Sequence, residues 1–95
     1  MAEPATPEGV AKPRLAPGVR LHFDVKRGAW VLLGPERVIE MEGPASEILS
    51  RCDGTRTLDQ IVDELAAQFS AERAVIAADV ADLLAELRAK RLVAA

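Results

Sequence analysis

Two side chains in this chain of 95 residues have the chemistry of a lone nucleophile, general base or soft metal ligand: His22 and Cys52, the only residues of their types. A catalytic dyad or a metal site needs a second group at usable spacing, and neither has one. There is no CxxC, HExxH or EF-hand loop, and no glycine-rich turn between strand and helix that would cradle a phosphate. His22 lies between Arg20 and Asp24 on the polar side of an alternating stretch, where a solvent-facing imidazole is expected. Cys52 follows Ile48 by one helical turn on an apolar stripe, the place of a small inert core thiol. The acid pairs Asp63–Glu64 and Asp79/Asp82 read as solvated charge on helix faces rather than as acid–base partners. The expectation is a protein that is not an enzyme and carries neither cofactor nor metal.

The elements that position these residues follow from periodicity. From Gly18, the apolar Val19, Leu21, Phe23 and Val25 alternate with Arg20, His22, Asp24 and Lys26, which is the pattern of a half-buried strand. Lys26–Arg27–Gly28 supplies a turn, and the chain returns through Ala29 to Leu33; Trp30 to Leu33, apolar on both faces, are expected as a buried central strand. Gly34–Pro35 turns it again, because proline breaks a β-ladder, and Glu36 to Met41 mixes charge with apolar residues as an edge strand does.

Helices account for the rest. Pro44 can open one in which Ile48, Leu49 and Cys52 share a face, and Gly54 is a natural stop. Thr57 and Gln60 fit a capping box ahead of the stripe Leu58, Ile61, Val62, Leu65 and Phe69. Ser70 is expected to cap a third helix, from about Glu72 to Ala89, with Ile76, Val80, Leu83, Leu84 and Leu87 inward. Arg91 to Val93 suits a short extended end. Residues 1–17 hold four of the six prolines and read as a flexible tail or linker, leaving residues 18–95 as the domain. The fold class is α+β: a three-stranded antiparallel sheet followed by a three-helix bundle, in a winged helix-turn-helix-like order.

Bulk composition removes several functions. With 49% hydrophobic but only 3% aromatic residues, the core is aliphatic and little is available to stack on nucleobases. A net charge of −3 opposes a partner held mainly through phosphates. No apolar run approaches the roughly 20 residues needed to span a bilayer, and one cysteine suits a reducing compartment. A cytoplasmic protein without membrane contact, monomeric unless its edge strand is exchanged, is the expectation. The helix-turn-helix order raises a winged-helix DNA-binding regulator as the alternative. Between Glu72 and Glu86, however, its would-be recognition helix carries Glu72, Asp79, Asp82 and Glu86 against Arg73 alone, and offers no Asn, Gln, Ser or Thr for base contacts. A third possibility is an adaptor that docks a protein on the acidic helix face.

The remaining feature is a groove between the third strand and the third helix. An edge strand leaves donors and acceptors unpaired, so an extended peptide could add beside Arg37, Val38, Ile39, Glu40 and Met41. On a helical wheel, one flank of the third helix holds Ala77, Ala81, Leu84 and Arg88. Small alanines there permit close backbone approach. Composition therefore favours that flank as the wall facing the strand; the other flank, with Val75, Asp79, Asp82 and Glu86, is the alternative. The bland alternative is that strand and helix simply pack on each other.

Several segments in this order resemble the PqqD family of pyrroloquinoline quinone biosynthesis, and more broadly the recognition elements for ribosomally made, modified peptides. The likeness covers about residues 13–93: Pro13–Arg14–Leu15, Val19–Arg20–Leu21 with Asp24, Trp30 to Arg37, Ile48–Leu49 with Cys52–Asp53–Gly54, Thr57–Leu58 with Ile61–Val62, and Asp79–Val80 with Leu83–Leu84. The resemblance implies a noncatalytic peptide chaperone that binds the precursor peptide PqqA. It further implies delivery of that peptide to the radical SAM enzyme PqqE, which cross-links a Glu and a Tyr; the clusters and S-adenosylmethionine belong to that enzyme. By the same likeness the peptide adds as a strand at Arg37, Val38, Ile39, Glu40 and Met41, opposite Ala77, Val80, Ala81, Leu84 and Arg88. Fusion to PqqC through a proline-rich linker is a further implied possibility.

Overall fold

The computed structural model describes residues 11–94. In chain order the elements are β1 (Arg14–Leu15), β2 (Arg20–Asp24), β3 (Ala29–Leu33), β4 (Val38–Glu40), α1 (Ala45–Ser50), α2 (Leu58–Phe69), α3 (Arg73–Ala89) and β5 (Val93–Ala94). The three-stranded antiparallel sheet β2–β3–β4 precedes the helices, in the expected α+β order. Cross-strand partners Leu21, Leu32 and Ile39 put one face of the sheet on the helices. Leu32, Leu49, Ile61, Leu65, Leu84 and Leu87 form the centre of an aliphatic core.

Local chemistry explains the corners. Asp24 Oδ1 accepts the backbone N–H groups of Lys26 and Arg27 at 3.0 and 3.2 Å, and Gly28 takes φ +65, so the β2–β3 hairpin closes on an aspartate-anchored turn. Thr57 and Gln60 form the capping box reciprocally: each side chain holds the other residue's N–H, at 3.1 and 2.8 Å.

Several boundaries differ from those read in the sequence. Ser70 does not cap α3; it ends α2 in the left-handed region (φ 51), and Glu72 precedes α3 with no side-chain cap. Arg91 (φ 62) ends α3 the same way. In both cases the next N–H reaches back five residues, Ala71 to the Ala66 carbonyl at 3.0 Å and Leu92 to Leu87 at 2.8 Å. These are Schellman stops, here built without glycine, which is why the absence of Gly or Pro after Gly54 did not announce them. α1 ends at Ser50, ahead of Gly54. Phe23 and Trp30 pack edge to face, with ring centroids 5.3 Å apart, yet each remains 41% exposed; Val25 is 83% exposed in the turn, and Phe69 is 44% exposed. The apolar period places them on the inner side of their elements, but each lies at an element's end, beyond the reach of the opposite layer.

A second sheet pairs β1 with β5, Arg14 opposite Ala94 and Leu15 opposite Val93. Of the tail expected over residues 1–17, residues 1–10 lie outside the described residues. The stretch from Ala11 is tied to the fold: Pro13 is buried, its carbonyl accepts the Gly54 N–H at 3.0 Å, and Ala16 donates to Leu92 at 2.9 Å. Proline content suggested a linker there, but a few long-range backbone bonds and Pro13 and Leu15 side-chain packing hold the strand in place.

Candidate peptide-binding groove

Backbone alternation decides what β4 offers. Gly34 donates its N–H to the Arg37 carbonyl and Met41 donates to the Trp30 carbonyl, both at 2.9 Å, and Leu32 lies opposite Ile39 between them. Hydrogen-bonded pairs in an antiparallel ladder alternate with non-bonded ones, so Arg37, Ile39 and Met41 turn their backbone groups toward β3. Val38 and Glu40 therefore turn theirs outward, and β4 is the last strand of its sheet. Two residues thus present N–H and C=O groups to an added strand.

Two clefts open beside β4. One, of about 250 Å³, is floored by Ile39, Met41, Leu83 and Leu87 and rimmed by Glu40, Glu42 and Glu86. The next, of about 280 Å³, lies between Pro35–Arg37 and Lys90–Leu92. Since β4 and α3 run past each other in opposite senses, the two clefts follow one another along a single strand–helix seam. The Lys90 ammonium sits 3.1 Å from Glu86 Oε2, one helical turn away, and joins them.

Of the residues expected to hold peptide, Arg37, Val38, Ile39, Glu40 and Met41 lie along this seam. Those expected from α3 do not. Val80 and Leu84 are 1% and 0% exposed and belong to the core. At 100° per residue, Ala77, Ala81 and Arg88 fall on the flank opposite Leu83 and Glu86, and the Arg88 charge acts on Cys52 instead. The wall facing β4 is the acidic flank. A helical wheel defines two flanks symmetrically about the core stripe; only the path from sheet to helices selects one. The sequence does not place Leu83 and Leu87 on the groove because their spacing marks them as core, and Glu86 lies on the flank that composition does not favour. The signal available was Leu83's place at the edge of the stripe, next to Glu86.

The reactive candidates have structural roles. Burial pushes the Cys52 thiol up to about 11, Asp53 adds to the rise, and the Arg88 charge opposes it. Its Sγ lies 3.3 Å from the Ile48 carbonyl, so it packs as an inert core thiol. His22 is exposed opposite Val31. Glu64 binds Arg51 at 2.9 Å and Arg56 at 3.0 Å, tying the end of α1 and the following loop to α2; the Arg51 hydrogen bond, then Arg56, holds its carboxyl below the ordinary value. Asp63 and Asp59 grip Arg73 at 2.6 and 3.1 Å across the α2–α3 corner. No cluster of His, Cys, Asp or Glu among the described residues could hold a metal ion. No helix among them is long and apolar enough to cross a membrane.

An α+β winged-helix domain with an open strand edge facing a helix defines the class of small recognition domains. Within it, the model of the family described as Coenzyme PQQ synthesis protein D (PqqD) matches residues 29–93, and the chain belongs to this family. It is 53% identical over 81 residues to a PqqA binding protein of Xanthomonas oryzae pv. oryzae, covering 85% of this chain and 88% of that one. A PqqA binding protein of Rhodopseudomonas palustris is 42% identical over 80 residues, 84% of this chain and 78% of its own. Among solved structures, the PqqD truncation of Methylobacterium extorquens PqqCD, described as a functional and stand-alone recognition element for ribosomally synthesized and post-translationally modified peptides, superposes with a TM-score of 0.77. That pair is 37% identical, with 93% of this chain and 97% of the other covered. PqqD from Xanthomonas campestris superposes with a TM-score of 0.58 at 41% identity, over 97% and 96% of the two chains.

Proposed function

We propose that this protein is a noncatalytic peptide chaperone that captures the precursor peptide PqqA by strand addition to β4. The observation that carries the reading is the outward-facing backbone of Val38 and Glu40 beside a cleft floored by Ile39, Met41, Leu83 and Leu87. The relatives named as PqqA binding proteins support the choice of peptide. A guest strand pairing with Val38 and Glu40 gains up to four backbone hydrogen bonds, each worth about 0.5–1.5 kcal/mol net, while alternate side chains enter the apolar floor. Ordering the guest costs about 1–2 kcal/mol per residue, so backbone bonds alone are insufficient and the apolar floor supplies the surplus. A net of about −8 kcal/mol corresponds to a micromolar Kd, sufficient for capture.

Delivery to the radical SAM enzyme PqqE for Glu–Tyr cross-linking is the second half of the proposal. Holding the peptide raises its local concentration at that enzyme. The protein itself needs no cofactor for this, acts in the cytoplasm, and works as a monomer or joined to PqqC, in keeping with the PqqCD neighbour. The test is a titration of isotopically labelled protein with PqqA. Amide shifts should appear first at Val38–Glu40 and Leu83–Leu87, and added PqqE should form a ternary complex. Unchanged spectra at saturating peptide would sink the proposal, and a salt-sensitive shift on duplex DNA would favour a nucleic-acid role instead.

A further inference from the structure

The strand–helix seam changes sign along its length. Toward the end of β4 the cleft is lined by three acidic residues, Glu40, Glu42 and Glu86, beside the apolar Ile39, Met41, Leu83 and Leu87. Toward the start of β4 the cleft collects Arg37, Lys90 and Arg91 against the single acid Glu36. The Lys90–Glu86 pair cancels one charge at each end. Among the described residues, Glu40, Glu42, Arg37 and Arg91 make no ion pair, so the seam keeps an unneutralised acidic end and an unneutralised basic end. Arg91 also occupies a left-handed backbone position that glycine adopts more readily, which sets a cation beside the cleft where a helix stop alone would favour a small neutral residue.

We infer that this polarity fixes the direction and charge order of the guest: a Lys or Arg side chain sits at Glu40/Glu42, and an Asp or Glu side chain three to five residues later sits at Arg37/Arg91. The inference rests on the strand-addition reading above. An antiparallel guest exchanges both N–H···O bonds with Val38 and again with Glu40, whereas a parallel one makes slanted, slightly weaker bonds. Running antiparallel to β4, the guest enters at the Glu42 end and leaves at the Arg37 end, so its cation comes first in sequence. The five-residue separation of Arg37 and Glu42 spans roughly 17 Å of strand, which sets the spacing of the guest charges. A guest of the opposite polarity brings like charges together at both ends.

The test is a set of double-mutant cycles between the full chain and PqqA at low ionic strength. On the protein the changes are Glu40→Gln, Glu42→Gln, Arg37→Gln and Arg91→Asn; on the peptide each basic and each acidic residue is neutralised in turn. The exposed protein changes should leave the thermal midpoint within a degree or two, which a melting curve checks. Each productive single change should weaken Kd about two- to fivefold, the range of exposed ion pairs, and a matched pair of changes should cost no more than one of them. Couplings should link a peptide cation to Glu40 or Glu42 and a peptide acid three to five residues C-terminal to it to Arg37 or Arg91, and should vanish at high salt. Strictly additive effects, or an acid that couples N-terminal to the cation, overturn the inference while leaving strand addition intact. Loss of peptide shifts at β4 in the unmodified protein would instead overturn strand addition itself.

Discussion

Met41 donates its backbone N–H to the Trp30 carbonyl at 2.9 Å, and this bond sets the phase of the β3–β4 ladder. Once Met41 faces inward, Glu40 must face outward and Ile39 inward, so adjacent residues of one strand have opposite jobs: Ile39 holds the sheet together and Glu40 remains available to a guest.

Proline separates those jobs. Glu40→Pro removes an outward donor and leaves the inward bonds of the edge strand in place, so folding should persist while peptide affinity falls about tenfold, as judged by circular dichroism and calorimetric titration. Ile39→Pro deletes a ladder donor and should cost about 3 kcal/mol of stability by denaturant unfolding. Equal loss of fold in both variants would contradict the assigned phase.

The two flanks of α3 make opposite predictions. Truncating Leu83, which floors the groove, should weaken peptide binding about five- to tenfold, the equivalent of roughly 1 to 1.4 kcal/mol of lost apolar contact. Ala81→Ser, on the far flank, should change Kd less than twofold. Parallel titrations of the two proteins check this, and a larger effect at Ala81 would return the groove to the alanine flank.

Acid should loosen the α1–α2 tie in a defined window. Arg51, then Arg56, holds the Glu64 carboxyl below its ordinary value of 4.5 in the folded protein. The contribution is therefore present above pH 4.5 and is lost as pH falls through the lower, folded-state value. Glu64→Gln should flatten that limb of a stability-versus-pH curve and leave it unchanged near neutrality apart from a constant offset.

Alkali acts through Cys52 with the opposite sign. Folding raises the thiol from 9.0 to about 11, so the unfolded chain ionises first and stability falls as pH climbs from 9 toward 11. Cys52→Ala should remove that slope. At pH 8 the native thiol should resist alkylation and react at a rate set by opening of the fold, because it is 3% exposed. Rapid labelling of the folded protein would contradict its place in the core.

Much of the fold was readable because short-range physics dictates it. Thr57 and Gln60 cap a helix from within four residues, Gly28 permits a positive φ in a hairpin turn, and the apolar stripe of α2 buries whichever partner it meets. The ends of α2 and α3 were not readable: Ser70 and Arg91 adopt left-handed conformations that their own preferences disfavour, so surrounding packing and returning hydrogen bonds decide the stops. Likewise nothing local marks Arg14–Leu15 as a strand, since its partner Val93–Ala94 lies at the other end of the chain.

For the groove, the sequence by itself determined that Glu36 to Met41 forms an edge, because Pro35 interrupts the ladder and charge is interleaved with apolar residues. Tertiary structure alone decided which backbone groups face outward and which flank of α3 faces them. A two-residue alternation leaves the hydrogen-bond phase open until a partner strand sets it, and a helical wheel is symmetric about its core stripe until the chain's path through space breaks that symmetry. Leu83 lies 44 residues after Ile39 and Glu86 lies 46 after Glu40, yet all four line one cleft, and that path through space is what brings them together.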